Sequence, residues 1–366
     1  MTRVHNFSAG PAALPLEVLE TIRNDIPDWL GLGMSVMEVS HRGKDFVALA
    51  ARAEANLRKL LGVPGDYSVL FTQGGATLQM SMAPLNLTAQ GDTVDYVVTG
   101  SWGKKAAGEA RKFCDVNIAA DASDRNFTYI PDEAAWQRSD NAAYLHITPN
   151  ETIAGVEFQF VPGGDTPIVA DMSSNILSRP IDVGSYGVIY AGAQKNIGPA
   201  GITVVIVRND LLDRVRPNNA HLMTWKSYAE SDSMTNTPPT FAWYVADLVF
   251  QWLLDRGGLV WYGGLIGGAL AVILNSMRLK IPVRFTFDLA APALAMGYAL
   301  GRVGCFLVQD DYGVPTGLPW GVKFPEGLPP TTAANLSAWG VPVPEGAAPL
   351  DVLAVHPTQL YETTAM

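Results

Sequence analysis

From Gly257 to Met277 the chain carries no charged side chain at all. A run of that length matches a bilayer-crossing helix, for which about 20 consecutive apolar residues suffice. A second apolar stretch, Asp288 to Asp310, is interrupted only by Arg302. Residues 259–366 hold 12 charged side chains in 108 positions, against 48 in the 258 positions before them, and 11 of the 25 prolines. Such a step in composition marks a boundary. Residues 1–258 are expected to form one domain, and 259–366 a fragment with apolar helices at about 257–277 and 288–309. A buried hairpin of a water-soluble domain is the alternative, but paired glycines and other small residues favour packed membrane helices.

The first 258 residues alternate short apolar runs with amphipathic ones. SVLF (68–71), DYVVTG (95–100), VNIAA (116–120), AAYLHIT (142–148), TPIVADM (166–172), GVIYAGA (187–193) and ITVVIVR (202–208) have the β-rich, mostly uncharged character of buried strands. FVALAARAEANLRKLL (46–61) and the segment after GGAT (74–77) have helical spacing. The fold class expected is α/β with a mainly parallel sheet, whose ligands sit where strand ends meet helix N-termini. A net charge of −10 argues against nucleic acid, whose phosphates would be repelled. Cys114 and Cys305 supply neither a disulfide framework nor a zinc pattern, so no metal is expected. The N-terminal MTRVHNFSAGPAALP lacks the apolar core of a secretory signal, and a cytoplasmic setting is expected for residues 1–258.

Three strand ends carry candidate chemistry. TQGGATLQM (72–80) opens a helix with glycines that let backbone amides approach an anion, though such turns are common in purely structural settings. VADMSS (169–174) ends a strand on Asp171, and YAGAQKNIGPAG (190–201) sets Lys195 in a loop of small residues. A lysine for an aldehyde, an aspartate for a protonated pyridine nitrogen and a phosphate cradle are the requirements of pyridoxal phosphate. Trp102, between Gly100 and Gly103 just after a strand, offers an aromatic platform for its ring.

HNFSAGPAALP (5–15), MEVSHRG (37–43), PNETIAGVE (149–157), SRPIDVGSYGVIYAGAQKNIGPAG (178–201) and SMTNTPPTFAWY (233–244) closely resemble phosphoserine aminotransferases over essentially all of residues 3–258. The resemblance implies a fold-type I enzyme, a homodimer with active sites at the subunit interface, and a role in serine and vitamin B6 biosynthesis. The implied reaction exchanges an amino group between 3-phosphohydroxypyruvate and glutamate, giving phosphoserine and 2-oxoglutarate. Lys195 matches the family's Schiff-base lysine, which also moves the proton between substrate Cα and cofactor. By the same likeness, Asp171 keeps the pyridine nitrogen protonated, Trp102 stacks on the ring and Thr152 hydrogen-bonds the cofactor. Ala76, Thr77 and Gln194 bind its phosphate, joined by Asn236 and Thr237 from the neighbouring subunit. His41 and Arg42 meet the anionic substrate.

That likeness ends near Gly258, where the family continues into a smaller domain. Here VWYGGLIGG (260–268), GRVGCFLVQDDYGVPTGLPWGV (301–322) and HPTQLYE (356–362) instead resemble prolipoprotein diacylglyceryl transferase, a membrane enzyme. Arg302 matches an essential arginine of that family, suited to a lipid phosphate. Tyr262 stands where many members have histidine, and Cys305 is expected to pack. Only a middle slice of that family is present, so two unrelated enzymes are joined at a shared GGL. The leading expectation is therefore a transaminase with any membrane contact confined to 257–309. A membrane lipid transferase, or a fusion without competent activity, are the rivals.

Overall fold

The computed structural model describes residues 3–255, 273–274, 276–279, 281, 306, 313–325, 330–338, 341–344, 346–358 and 360–361. The chain divides into two compact units, Met1–Val260 and Trp261–Met366.

The first unit is built on a seven-stranded sheet. Its strands are β1 (Tyr67–Thr72), β2 (Thr93–Val98), β3 (Asp115–Asp121), β4 (Leu145–Ile147), β5 (Ile168–Asp171), β6 (Val188–Gly192) and β7 (Thr203–Arg208), in the order β1-β7-β6-β5-β4-β2-β3. Only β7 runs against its neighbours; the contacts between β6, β5, β4, β2 and β3 are all parallel. Every one of the seven expected strands is present. Their uncharged character follows from burial on both faces. Along β7, Val204 and Ile206 enter one core while Val205 and Val207 enter the other, and β6 divides Ile189 from Val188 and Tyr190 in the same way.

Helices cover both faces. Helix α1 (Leu16–Asp25) and α2 (Lys44–Leu61) lie on one side, α3 (Gly75–Leu87) and α4 (Ser101–Ala110) on the other. In α2, Phe46, Leu49, Ala50, Ala53, Leu57 and Leu61 recur at three- and four-residue spacing and are all buried. It stops at Gly62, whose left-handed backbone (φ +62°) donates its N–H to Arg58 O. A short helix, α5 (Trp225–Ala229), precedes α6 (Thr240–Asp255). Helix α6 is fastened twice. Tyr244 donates to Asp25 Oδ2 at 2.6 Å, and fully buried Asp247 accepts two bonds from Arg52 of α2 at 2.6 and 3.0 Å.

In the second unit the described residues include β8 (Val322–Lys323), paired antiparallel with β9 (Ala354–Val355), and α7 (Ala333–Ala338). Phe324, Leu336 and Val355 form its small core. The expected apolar helices at 257–277 and 288–309 lie almost wholly outside the described residues, as do Arg302, Tyr262 and Cys305. Among the described residues no helix is long and apolar enough to cross a membrane.

Candidate active site

The parallel strands release their chains at one end of the sheet, and a cavity of about 390 Å³ opens there. Because Ile147 pairs with Ala170, the next residues out, Thr148 and Asp171, leave adjacent strands side by side. Both line the cavity, together with Gly74–Thr77, Trp102, Asn150, Thr152, Ser173, Ser174 and the Gly192–Lys195 turn.

Lys195 Nζ donates to Thr152 Oγ1 at 2.5 Å. Burial holds its amine below the usual lysine range, while the charges of Asp171 and Glu151 pull the other way. The N-terminal arm backs this lysine. Gly10 lies so near that a Cβ there would stand 3.2 Å from Lys195 Cγ, and Ala12 N–H bonds Gln194 O at 3.0 Å.

Asp171 is buried, and burial pushes its carboxyl above the usual aspartate range. The Ser173 hydroxyl and amide, at 2.6 and 3.1 Å from Oδ1, oppose that shift, as do Lys195 and the Tyr190 hydroxyl. Tyr190 also meets His146 Nε2 at 2.9 Å. The His146 ring, enclosed and stacked 4.6 Å from Tyr96, is driven by burial to a pKa of about 3 and is therefore neutral. A cation at Asp171 would resolve the arrangement, since it would compensate a buried carboxylate.

Trp102 stands in the first turn of α4, and its position is governed by Glu151. That carboxylate, fully buried, accepts the Trp102 and Gly103 amides at 3.1 and 2.8 Å. Gly100 is needed beside it, because a Cβ there would fall 2.4 Å from Glu151 Cδ.

Seven of the expected residues thus converge: Ala76, Thr77, Trp102, Thr152, Asp171, Gln194 and Lys195. His41, Arg42, Asn236 and Thr237 do not line the cavity, although Gln73, one residue before Gly74, donates to Asn236 Oδ1 at 2.9 Å. Sequence reasoning missed Glu151, Thr148, Ser173 and Tyr190. Ser173, two residues after an aspartate, carried a legible turn signal; Glu151 carried none, since its helix partner is distant in sequence. In the second unit, Trp320 Nε1 and His356 Nδ1 both meet the Tyr361 hydroxyl, at 2.8 and 3.1 Å, which joins GLPW to HPTQLYE.

The cavity fits pyridoxal phosphate. Thr148 and Trp102 both line it, and Thr148 Oγ1 and Trp102 Nε1 are buried without a partner. Lysine, buried carboxylate, aromatic ring and helix N-terminus at Gly75 answer the cofactor's aldehyde, ring nitrogen, ring face and phosphate.

Comparison with known proteins agrees. The class-V aminotransferase family profile matches residues 4–260, and that of prolipoprotein diacylglyceryl transferase matches 240–366. The two overlap across α6. Phosphoserine aminotransferase of Chromobacterium violaceum is 53% identical over 261 residues, which is 71% of this chain and 72% of that protein. The enzyme of Acidithiobacillus ferrooxidans is 58% identical over 257 residues, covering 70% and 71%. The solved phosphoserine aminotransferase from Bacillus circulans subsp. alkalophilus superposes with a TM-score of 0.70 at 45% identity, over 75% of this chain and 76% of its own. The pyridoxal-phosphate-bound enzyme from Trichomonas vaginalis gives 0.67 at 44%, over 70% and 72%. Matched by the class-V profile over most of its length and by phosphoserine aminotransferases at more than half identity, this chain belongs to the phosphoserine aminotransferase family of pyridoxal-phosphate-dependent class-V transaminases.

Proposed function

We propose that the cavity interconverts 3-phosphohydroxypyruvate plus glutamate with phosphoserine plus 2-oxoglutarate, in serine and vitamin B6 biosynthesis. The observation that carries this is the pairing of Lys195, its amine held by Thr152, with the buried Asp171 across one cavity. Bound there, pyridoxal phosphate supplies an aldehyde that captures amines and a ring that takes up the electron pair left when an α-proton departs.

The chain's own residues do the rest. Lys195, with its basicity lowered by burial, would supply the amine that the aldehyde captures and then carry the proton at the substrate's α-carbon. Asp171 would keep the ring nitrogen charged, and Thr152 would offer its hydroxyl to the cofactor. Trp102 covers one ring face. Ala76, Thr77 and Gln194 hold the phosphate. In a homodimer, Asn236 and Thr237 would complete the neighbour's phosphate site, which accords with their place outside this chain's own cavity. His41 and Arg42 meet the substrate's anionic end, where a guanidinium fork suits carboxylate or phosphate.

Residues 1–258 act in the cytoplasm on this reading, and 257–309 are the segment that would touch a membrane. The charge-poor composition and the lipid-transferase match support that assignment. Borohydride reduction of the detergent-purified chain loaded with pyridoxal phosphate, followed by peptide mapping, tests the site. The label should fall on Lys195 and vanish in Lys195→Ala, and transamination of phosphoserine with 2-oxoglutarate should vanish with it. A label on another lysine would overturn the assignment.

A further inference from the structure

We propose that Lys105 is the cationic anchor of the cofactor phosphate, an assignment that rests on reading the cavity as a pyridoxal phosphate site. The residues that form the cradle, Gly74, Gly75, Ala76, Thr77 and Gln194, are all uncharged. A phosphate monoester near neutral pH carries roughly 1.5 to 2 negative charges, and a helix N-terminus offers the equivalent of only about half a positive one. Lys195 is committed to Thr152, so the cradle itself leaves much of the phosphate charge unanswered.

Lys105 answers it from the neighbouring helix. Its Nζ donates to Thr77 Oγ1 at 3.1 Å and stands 5.6 Å from the Trp102 ring centroid. Both Thr77 and Trp102 line the cavity. On α4 the spacing from Trp102 to Lys105 is three residues, so ring and ammonium share one face. Glu109, a turn further on, is hydrogen-bonded by Lys112 Nζ at 2.7 Å and by Ser81 Oγ at 3.2 Å; it also feels the charge of Lys105, whose own hydrogen bond goes to Thr77. Because Lys105 donates to Thr77 Oγ1, the threonine's own proton is free to point at a phosphate oxygen. Lys105 thus acts on the phosphate twice, through Thr77 and through its own charge.

The test compares two ligands differing only by the phosphate. The full-length apoprotein is titrated with pyridoxal phosphate and with pyridoxal, following the absorption of the lysine-bound chromophore. In Lys105→Gln the dissociation constant for pyridoxal phosphate should rise roughly tenfold, the loss of one exposed charge-assisted contact. That difference should shrink as salt is raised. Pyridoxal should bind as in the unaltered protein, and Lys105→Arg should restore most of the phosphate-dependent affinity. Equal weakening for both ligands would make Lys105 a support for Trp102 only, and unchanged pyridoxal phosphate binding would make it a solvated lysine; either result overturns the proposal. Failure of the unaltered chain to bind either ligand would instead overturn the transaminase reading itself, and this assignment with it.

Discussion

Gly100→Ala should loosen the start of α4 although it adds a single methyl group at a site where the backbone is extended (φ 175°) and suits any residue. The obstacle is wholly steric. The added carbon would meet Glu151 Cδ at 2.4 Å and Oε2 at 2.5 Å, whereas carbon contacts settle at roughly 3.5–4.0 Å. The carboxylate must therefore withdraw by about 1 Å, which carries the Trp102 and Gly103 amide bonds from 3.1 and 2.8 Å past the range in which they count. Bonds to a charged acceptor contribute about 1.5–3 kcal/mol each, so the expected local loss is about 3–6 kcal/mol. Amide exchange followed by mass spectrometry on the peptide spanning 100–110 reads this loss in the full chain, with the β1 peptide as internal reference. Glu151→Ala removes the object of the clash, so Gly100→Ala placed on that background should cost far less than it does alone. The coupling should exceed about 2 kcal/mol. Protection unchanged in Gly100→Ala, or strictly additive effects, would refute the view that the glycine exists to admit the carboxylate.

Three further outcomes follow from the same geometry. Asp171→Asn should lower transamination by roughly 100-fold or more, yet stabilise the apoprotein at neutral pH, because burial raises this acid and makes its ionised form costly. The sign is that of a raised carboxyl: the gain of Asn over Asp shrinks as pH falls through the folded-state value and disappears below the ordinary 3.8, so identical melting at all pH would refute it. Lys195, whose amine is lowered by burial, should attach the cofactor with a pH midpoint below the ordinary 10.5, and a midpoint at that value would contradict the geometry. Arg52→Ala leaves the buried Asp247 with only the neutral donors Gln251 and Asn56 and should cost about 1–3 kcal/mol, allowing for the half-exposed guanidinium; exchange in α6 that matches the unaltered chain would show the clamp to be idle.

Much of the first unit was legible because its strands are buried on both sides, and continuous apolar runs such as ITVVIVR leave little else for such a segment to be. Asp171 was legible because it closes such a run, and Lys195 because it follows another by two residues. Glu151 was not. It acts on Trp102 from 49 positions away, and nothing local to PNET says that a helix begins beside it. Tyr190 looked like an ordinary strand aromatic, and its hydroxyl's place between His146 and Asp171 exists only once β4, β5 and β6 are aligned. Lys105 lies on an exposed helix face, where sequence alone does not separate a solvated lysine from one turned toward a cradle.

The reversed course of β7 separates the lysine from its partners in one more respect. Asp171, Trp102 and the Gly74–Thr77 cradle each sit at the start of a long excursion between strands, which closes only when distant segments have found each other. Lys195 rides instead on the ten residues joining two strands that lie side by side, tied at their mouth by Gly192 opposite Thr203 and by the Ala193 N–H donating to Ile202 O at 3.1 Å. Closing so short a loop sacrifices little chain entropy. The nucleophile is therefore the most locally encoded member of the site: its loop can form early and survive fraying of the β3 edge, while the cradle and the ring platform wait on the whole sheet.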